Sequence, residues 1–405
     1  MRKSPLLPIF LIVLVDILGM TIILPLLPFY AEHFGASPTV VGLLVAAFAA
    51  CQLVAGPLLG RLSDTAGRKP LLIVSQIGTF IGFLILAFAQ SLWMVFLSRV
   101  IDGLTAGNLS LAQAYIADVT EPKDRARAFG VIGIAFGIGF LIGPAISGLL
   151  SKHGYAYPIY VAAGLSFTSI MATTFLLPRV KPDEGKAQEG PAGPGGKRLS
   201  LLAWGSYADY FRREGLGGLL HQFFAFCVAF ALFTSGFALF AERRFTWDGK
   251  AFGAQHVGYI FAYAGFLGII LQGGLIGRLV RRFGERRLVL AGFASLAVGY
   301  SLLGLSSSIA MLVVATTISS FGNGALRPAL TALITQSVGR NEQGVVLGLT
   351  QSLMSVAQIV APLIAGTLID HQLLVAWALA IAATALIGLA VRPPAPPASA
   401  PVVNS

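Results

Sequence analysis

Long apolar runs, each about as long as one membrane crossing, alternate along this chain with short polar knots. A helix needs about 20 apolar residues to cross the hydrocarbon at 1.5 Å rise per residue. Read on that measure, the pattern predicts twelve helices, at 6–30, 39–61, 70–90, 93–118, 127–150, 155–178, 219–241, 253–276, 288–307, 309–336, 343–369 and 371–391. The runs are continuous, whereas a transmembrane barrel would show short segments of period two. The expected class is therefore an all-α membrane protein. The breaks near 90–93 and 307–309 carry almost no charge and rest on run length alone. Arg2 and Lys3 precede the first run as in a signal peptide, but no small-residue cleavage site follows, so a retained first span is expected.

The pattern breaks once, at residues 179–218, where PRVKPDEGKAQEGPAGPGGKRLS is rich in Pro, Gly and charge and reads as a cytoplasmic linker. The following LLAWGSYADYFRR suits a short helix lying on the membrane surface. This divides the chain into an amino-terminal six-helix bundle at 1–178, the linker at 179–218, a carboxy-terminal six-helix bundle at 219–392 and a disordered tail at 393–405. The bundles repeat one plan. GRLSDTAGRKPLL at 60–72 is answered by GRLVRRFGERRLV at 277–289, an offset of 217. Pro144 and Pro362, and likewise Gly130 and Gly348, stand 218 apart. Matches in one register imply a duplicated unit, and parallel repeats about an axis along the membrane normal are a transporter architecture.

Composition agrees: 56% of residues are hydrophobic and 11% charged, against roughly 25% charged in soluble domains. With the amino terminus placed in the cytoplasm, only Lys152, Arg243, Arg244 and Lys250 of the 28 basic residues fall outside, and Arg99 and Arg327 fall within spans. That is the positive-inside bias, with both termini cytoplasmic. It accounts for the net charge of +11 through contact with anionic lipid headgroups, with no nucleic acid as partner. Cys51 and Cys227 both lie inside spans and read as packing residues. No His/Cys/Asp/Glu cluster has metal-ligand spacing and no GxxxxGK[ST] loop is present. No enzyme activity, cofactor or direct ATP coupling is expected.

Candidate chemistry lies in the few charges placed where charge is costly. Asp16 stands near mid-depth of the first span, where an ionised acid costs about 2.5–3.5 kcal/mol on insertion scales. Arg99 and Asp102 lie three apart in the fourth span. Two acids with one arginine leave one carboxylate imperfectly paired, which suits a site that takes up and releases a proton. Asp16 reads as the carrier, Arg99 as its tuning partner and Asp102 as the alternate carrier. A static pair holding the first and fourth spans together is the structural alternative. In the loop at 60–72, Asp64 is an acid that topology does not require, Arg68 follows four residues later, and Gly60 and Gly67 permit a sharp turn. Asp118, at the cytoplasmic end of the fourth span, would complete a conformational latch. In the second copy Arg281 replaces the acid, so the latch is expected in the first bundle only.

These residues resemble the major facilitator superfamily over essentially the whole chain except linker and tail. Gly60, Leu62, Asp64, Gly67, Arg68 and Lys69 match its signature loop between the second and third helices, and Arg99 and Gly103 its fourth-helix motif. Gly137, Gly143, Pro144 and Gly148 match the fifth-helix motif that marks drug/proton antiporters in that superfamily. Asp16, Gly19, ILPLLP at 23–28 and AYIADVT at 114–120 resemble the tetracycline-resistance-like branch. The resemblance implies a major facilitator fold in the plasma (inner) membrane, acting as a proton-driven exporter of small amphipathic compounds. Pumps dedicated to tetracycline carry further ionisable residues in the second half, whereas the six later spans here hold no Asp or Glu in their interiors. A monomer is expected. A symporter or facilitator of the same fold, and a non-transporting scaffold or receptor, are the alternatives.

Three further features bear on that function. The glycines and Pro144 of the fifth span, with Gly344, Gly348, Pro362 and Gly366 of the eleventh, suit a close contact between the bundles. In the seventh span Phe226, Phe230, Phe233, Phe237 and Phe240 form one stripe. It would line a cavity for a flat apolar substrate, with Gln52, Asn108, Gln113, Gln272, Asn323 and Gln351 supplying polar contacts; packing against neighbours is the bland alternative. Arg327 attracts an anionic group of the substrate, or bonds to carbonyls freed near Pro328.

Overall fold

A computed structural model describes residues 6–120, 125–178, 209–339 and 342–391. The first bundle comprises α1 (Leu6–Ile23), α2 (Leu27–His33), α3 (Pro38–Ala66), α4 (Arg68–Ala87), α5 (Leu92–Thr105), α6 (Asn108–Val119), α7 (Arg125–Ser151) and α8 (Ala156–Leu176). The second comprises α9 (Leu216–Arg244), α10 (Ala254–Ile270), α11 (Ile276–Leu305), α12 (Ile309–Gln336), α13 (Gln343–Asp370) and α14 (Leu374–Ala390). Among the described residues, eight helices, or nine if the bent α1–α2 pair counts as one span, are long and apolar enough to cross a membrane by themselves. The broken span α5–α6, the fold of α11 at Gly284 and the shorter α14 complete the twelve.

Three expected spans are not continuous helices, for local reasons. Pro25 cannot donate the bond that would join α1 to α2, and the chain bends by 44° there. The fourth span breaks at Ala106–Gly107, where the Gly107 N–H donates to Ser75 Oγ at 2.9 Å instead. Irregular backbone at membrane depth is tolerated only with such a protein partner. The eighth span passes through one π turn, Leu271–Leu275, into α11. Gly67 (φ +93°) and Gly284 (φ +77°) turn the chain at repeat-equivalent positions. Only glycine enters this region cheaply, so the repeat extends to backbone conformation.

The all-helical expectation needs one addition. Thr246–Trp247 and Lys250–Ala251 pair as an antiparallel hairpin, β1–β2, around Asp248 and Gly249, both at positive φ, as an Asp-Gly two-residue turn favours. Most of the expected linker, 179–208, and the tail lie outside the described residues. Where the chain resumes, Tyr210 is fully buried under the Arg213 guanidinium, 4.4 Å from the ring centroid. Arg213 grips both oxygens of Glu342 at 3.0 Å. That forked bond holds the Glu342 carboxyl below its ordinary range and the guanidinium above its own.

The first and last described residues, Leu6 and Val391, lie at one end of the bundle, here the terminal face; the opposite end is the far face. The bundles meet along two seams, α7 against α10 and α3 against α13. A Cβ built at Gly42 would run into the Pro362 carbonyl oxygen, and one at Gly258 would lie 2.6 Å from that of Pro144. Gly148 abuts Gly258 and Gln255, as Gly366 abuts Thr39 and Pro38. The seams are thus copies of each other, and in lipid such close backbone approach supplies the packing that holds helices together.

Candidate functional site

The loop between α3 and α4 is built as an ion cluster. Arg68 reaches Asp64 at 2.7 Å and Asp118 at 3.0 Å. Its other contacts are Ser63 Oγ at 2.5 Å and the Gly60 carbonyl at 3.4 Å. Gly67 swings α4 back so that Arg68, its first residue, faces the end of α3. All five residues expected there, Gly60, Asp64, Gly67, Arg68 and Asp118, therefore come together, and all belong to the first bundle. The Asp64 side chain remains 49% exposed, so one face of the cluster is open. Lys69 donates to the carbonyls of Thr174 and Leu177, closing the end of α8.

Deeper in the first bundle, Arg99 and Asp102 are buried together on α5, 3.3 Å apart. The guanidinium also lies 6.0 Å from the Phe48 ring centroid on α3. Asp16 does not pair with Arg99, contrary to the expected tuning partnership. It accepts from Ser169 Oγ at 3.0 Å, which in turn accepts from Gln76 Nε2 at 2.8 Å. Arg99 Nη1 pairs with Asp102 one helical turn away on the same helix, while its Nη2 is buried without a partner, and Asp16 is left to neutral donors on α4 and α8. Ser169 and Gln76 were missed in the sequence, although polar side chains inside apolar runs mark both.

The fifth-helix motif divides its contacts. A Cβ at Gly143 would strike Thr21 of α1, and Thr21 Oγ1 bonds to the Gly139 carbonyl at 2.9 Å. Gly137 faces Ile269 across the seam, and Pro144 and Gly148 face Gly258. Gly133 and Gly348, nearer the terminal face, meet nothing within 4 Å.

The phenylalanine stripe is a correction. Phe237 and Phe240 are fully buried and Phe233 nearly so. Phe233 packs on Phe261 and Tyr300 with centroids 5.8 and 5.3 Å away, Phe237 on Phe261 at 5.3 Å, and Phe240 on Trp377 at 4.9 Å. Phe230 stacks on Phe226. Phe233, Phe237 and Phe240 thus fill the second bundle against Phe261 of α10, Tyr300 of α11 and Trp377 of α14 rather than line a cavity, while Phe230 is half-buried. Among the amides, Asn108 approaches Thr79 at 3.5 Å and Asn323 donates to the Tyr300 hydroxyl at 3.0 Å. Gln52 is half-buried, while Gln113, Gln272 and Gln351 are exposed. Arg327 is exposed as well, with its guanidinium 5.7 Å from the Phe136 centroid.

A set of groups not anticipated from sequence closes the far face. Arg243 on α9 binds Glu32 of the first bundle at 2.5 Å and its neighbour Glu242 at 3.1 Å. Thr39 donates to Asp370 at 2.6 Å across the second seam. The signal was present: Arg243 and Arg244 stand against the positive-inside bias, and misplaced bases need a partner.

Comparisons with known proteins agree with this geometry. The family model described as Major Facilitator Superfamily matches residues 9–281 and 273–404. The chain is 31% identical over 357 residues to "Tetracycline resistance protein, class D" of Salmonella ordonez, covering 87% of this chain and 86% of that protein. It is 28% identical over 369 residues to "Multidrug resistance protein 2" of Bacillus subtilis (strain 168), covering 89% of each. The solved nucleoside transporter NupG shares the fold with a TM-score of 0.75 at 14% identity, covering 96% of this chain and 98% of that one.

Proposed function

The chain belongs to the major facilitator superfamily, and on that premise we propose that it exports small amphipathic compounds in exchange for protons by alternating access. The relatives named for tetracycline and multidrug resistance support a drug-like cargo. The observation that carries the proton side is Asp16, a carboxylate inside the membrane with hydroxyl and amide neighbours and no cation among the described residues. Asp102 is already matched by Arg99. Asp16 is therefore the group whose ionised form has no cation beside it in the first bundle's interior, and intramembrane acids of this kind form proton relays.

The positive-inside bias supports a cytoplasmic terminal face. The seams, Glu32–Arg243 and Thr39–Asp370 then close the outer side. This is the state that receives a cytoplasmic compound. The half-exposed Asp64 cluster sits where the second bundle would arrive when the cytoplasmic side closes, which suits a latch. One chain supplies both bundles, so a monomer suffices.

In vesicles holding the purified protein, a proton gradient should drive uphill movement of ethidium from the cytoplasmic-equivalent side. Asp16→Asn should abolish the uphill component while leaving downhill exchange, because an amide cannot carry the proton. Uphill pumping by Asp16→Asn equal to the parent would transfer the role to Asp102. Driving by sodium instead of protons would overturn the coupling ion.

A further inference from the structure

Inside the second bundle one charge is left without an answer. Arg327 is the nineteenth of the 28 residues of α12, well inside the membrane. Its guanidinium has no carboxylate and no hydrogen-bond acceptor among the described residues. The carbonyl that Pro328 leaves without a donor is that of Gly324, four residues back, and Arg327 does not bond to it. A strut role through backbone carbonyls, the alternative in the sequence, therefore has no geometric support.

Arg327 is exposed while Leu326 and Leu330 beside it are fully buried. An arginine presented to lipid at this depth would be costly, and such groups face the bundle interior or a water-filled cavity. Here the direction is given by Phe136. The guanidinium lies over a ring that belongs to α7 of the other bundle, so the exposed surface is the gap between bundles.

The surroundings have the character of a binding site. The π turn Leu271–Leu275 packs on α12 through Leu271, which a Cβ at Gly324 would approach to 2.8 Å. That contact is one turn from Arg327, and Gln272 beside it is exposed. Single π turns are frequent at functional sites because they redirect side chains out of helical register. Asn323, Arg327, Thr331 and Thr335 follow one another at intervals of four, a polar row leading from this level towards the terminal face.

We propose that Arg327 and Phe136 form the anion-recognising part of the substrate site, and that the exported compound carries one carboxylate or sulfonate on a flat apolar body. The proposal rests on the export reading above and adds the charge of the cargo. The guanidinium carbon lies 5.7 Å from the Phe136 centroid and its N–H groups make no hydrogen bond among the described residues; a guanidinium left in that condition matches a planar or trigonal oxyanion with two parallel bonds. The same ring offers a stacking surface for the apolar body. No acid in the interior of the six later spans competes for the arginine.

The test uses naphthalene-2-sulfonate, ionised at every working pH, and its uncharged analogue naphthalene-2-sulfonamide, bound to the purified full-length protein in equilibrium dialysis. The parent should prefer the sulfonate by about 10- to 100-fold, the range of a charge-assisted hydrogen bond. Arg327→Gln should bind both probes equally, and Arg327→Lys, which keeps the charge, should retain a preference. Equal binding of the two probes by the parent overturns the proposal without any variant, as does an undiminished preference in Arg327→Gln. Proton-driven ethidium efflux by the same preparation separates the two readings. Ethidium pumped without a sulfonate preference removes the anion site and leaves the exporter. An Arg327-dependent preference with neither ethidium nor naphthalene-2-sulfonate pumped removes the exporter and leaves the site.

Discussion

Asp16 and Asp102 are both acids inside the membrane, yet their surroundings assign them different work. Asp102 is charge-matched within its own helix by Arg99 at 3.3 Å, so losing its proton creates no unbalanced charge. Asp16 has only neutral donors, Ser169 directly and Gln76 behind it, so its charge changes with every protonation. At the loop between α3 and α4, Arg68 joins residues from three helices, and Asp64 is the member left half-exposed. Asp64→Asn should cut ethidium export sharply while the protein still inserts and elutes as the parent does. Undiminished export by a well-expressed variant would leave only a turn at this loop.

Among the elements, the seams are where packing and motion meet. A Cβ at Gly258 would fall 2.6 Å from the Pro144 carbonyl and 2.8 Å from the Gly148 Cα. Overpacking of this kind costs about 1–3 kcal/mol, and the strain is relieved if the bundles part at the far face. Gly258→Val, and equally its repeat partner Gly42→Val, should therefore populate the outward-open state. In a background without Cys51 and Cys227, a cysteine at Thr39 should then react faster with an impermeant maleimide from outside. Gly348→Val, which meets nothing within 4 Å, is the matched control and should not change the rate. Equal labelling in all of them would mean the seams do not limit opening.

For the whole molecule, two six-helix bundles joined by the segment 179–218 carry the basic residues mainly on one face. Protease should cut within 185–198 from the cytoplasmic side only, and cutting from outside alone would invert the topology. Cargo charge also sets the energetics of the cycle. Exchanging a monoanion outward for one proton inward moves two elementary charges inward, about 4.6 kcal/mol per 100 mV at roughly 2.3 kcal/mol per charge. An inside-negative potential should accelerate sulfonate export in vesicles at zero pH gradient. Exchange of a monocation for one proton moves no net charge and should be insensitive to it.

The twelve spans, the duplication and the intramembrane charges were legible along the chain because each is a one-dimensional property: run length, offset, or an ionisable residue in an apolar window. The ion loop was legible too, since Asp64, Arg68 and the two glycines lie within nine residues, and Asp118 stands at the end of the fourth span on the same side. Pairing between distant spans was not. That Asp16 meets Ser169, that Glu32 meets Arg243, and that Gly42 faces Pro362 depend on how bundles pack, and helical periodicity gives a face without naming what it faces. The phenylalanine stripe of α9 shows the difference: its spacing fixed one surface, and only the neighbouring Phe261, Tyr300 and Trp377 decided that the surface is core. Arg327 shows the converse, a residue with two readings in the sequence whose direction towards Phe136 was settled by the meeting of two bundles.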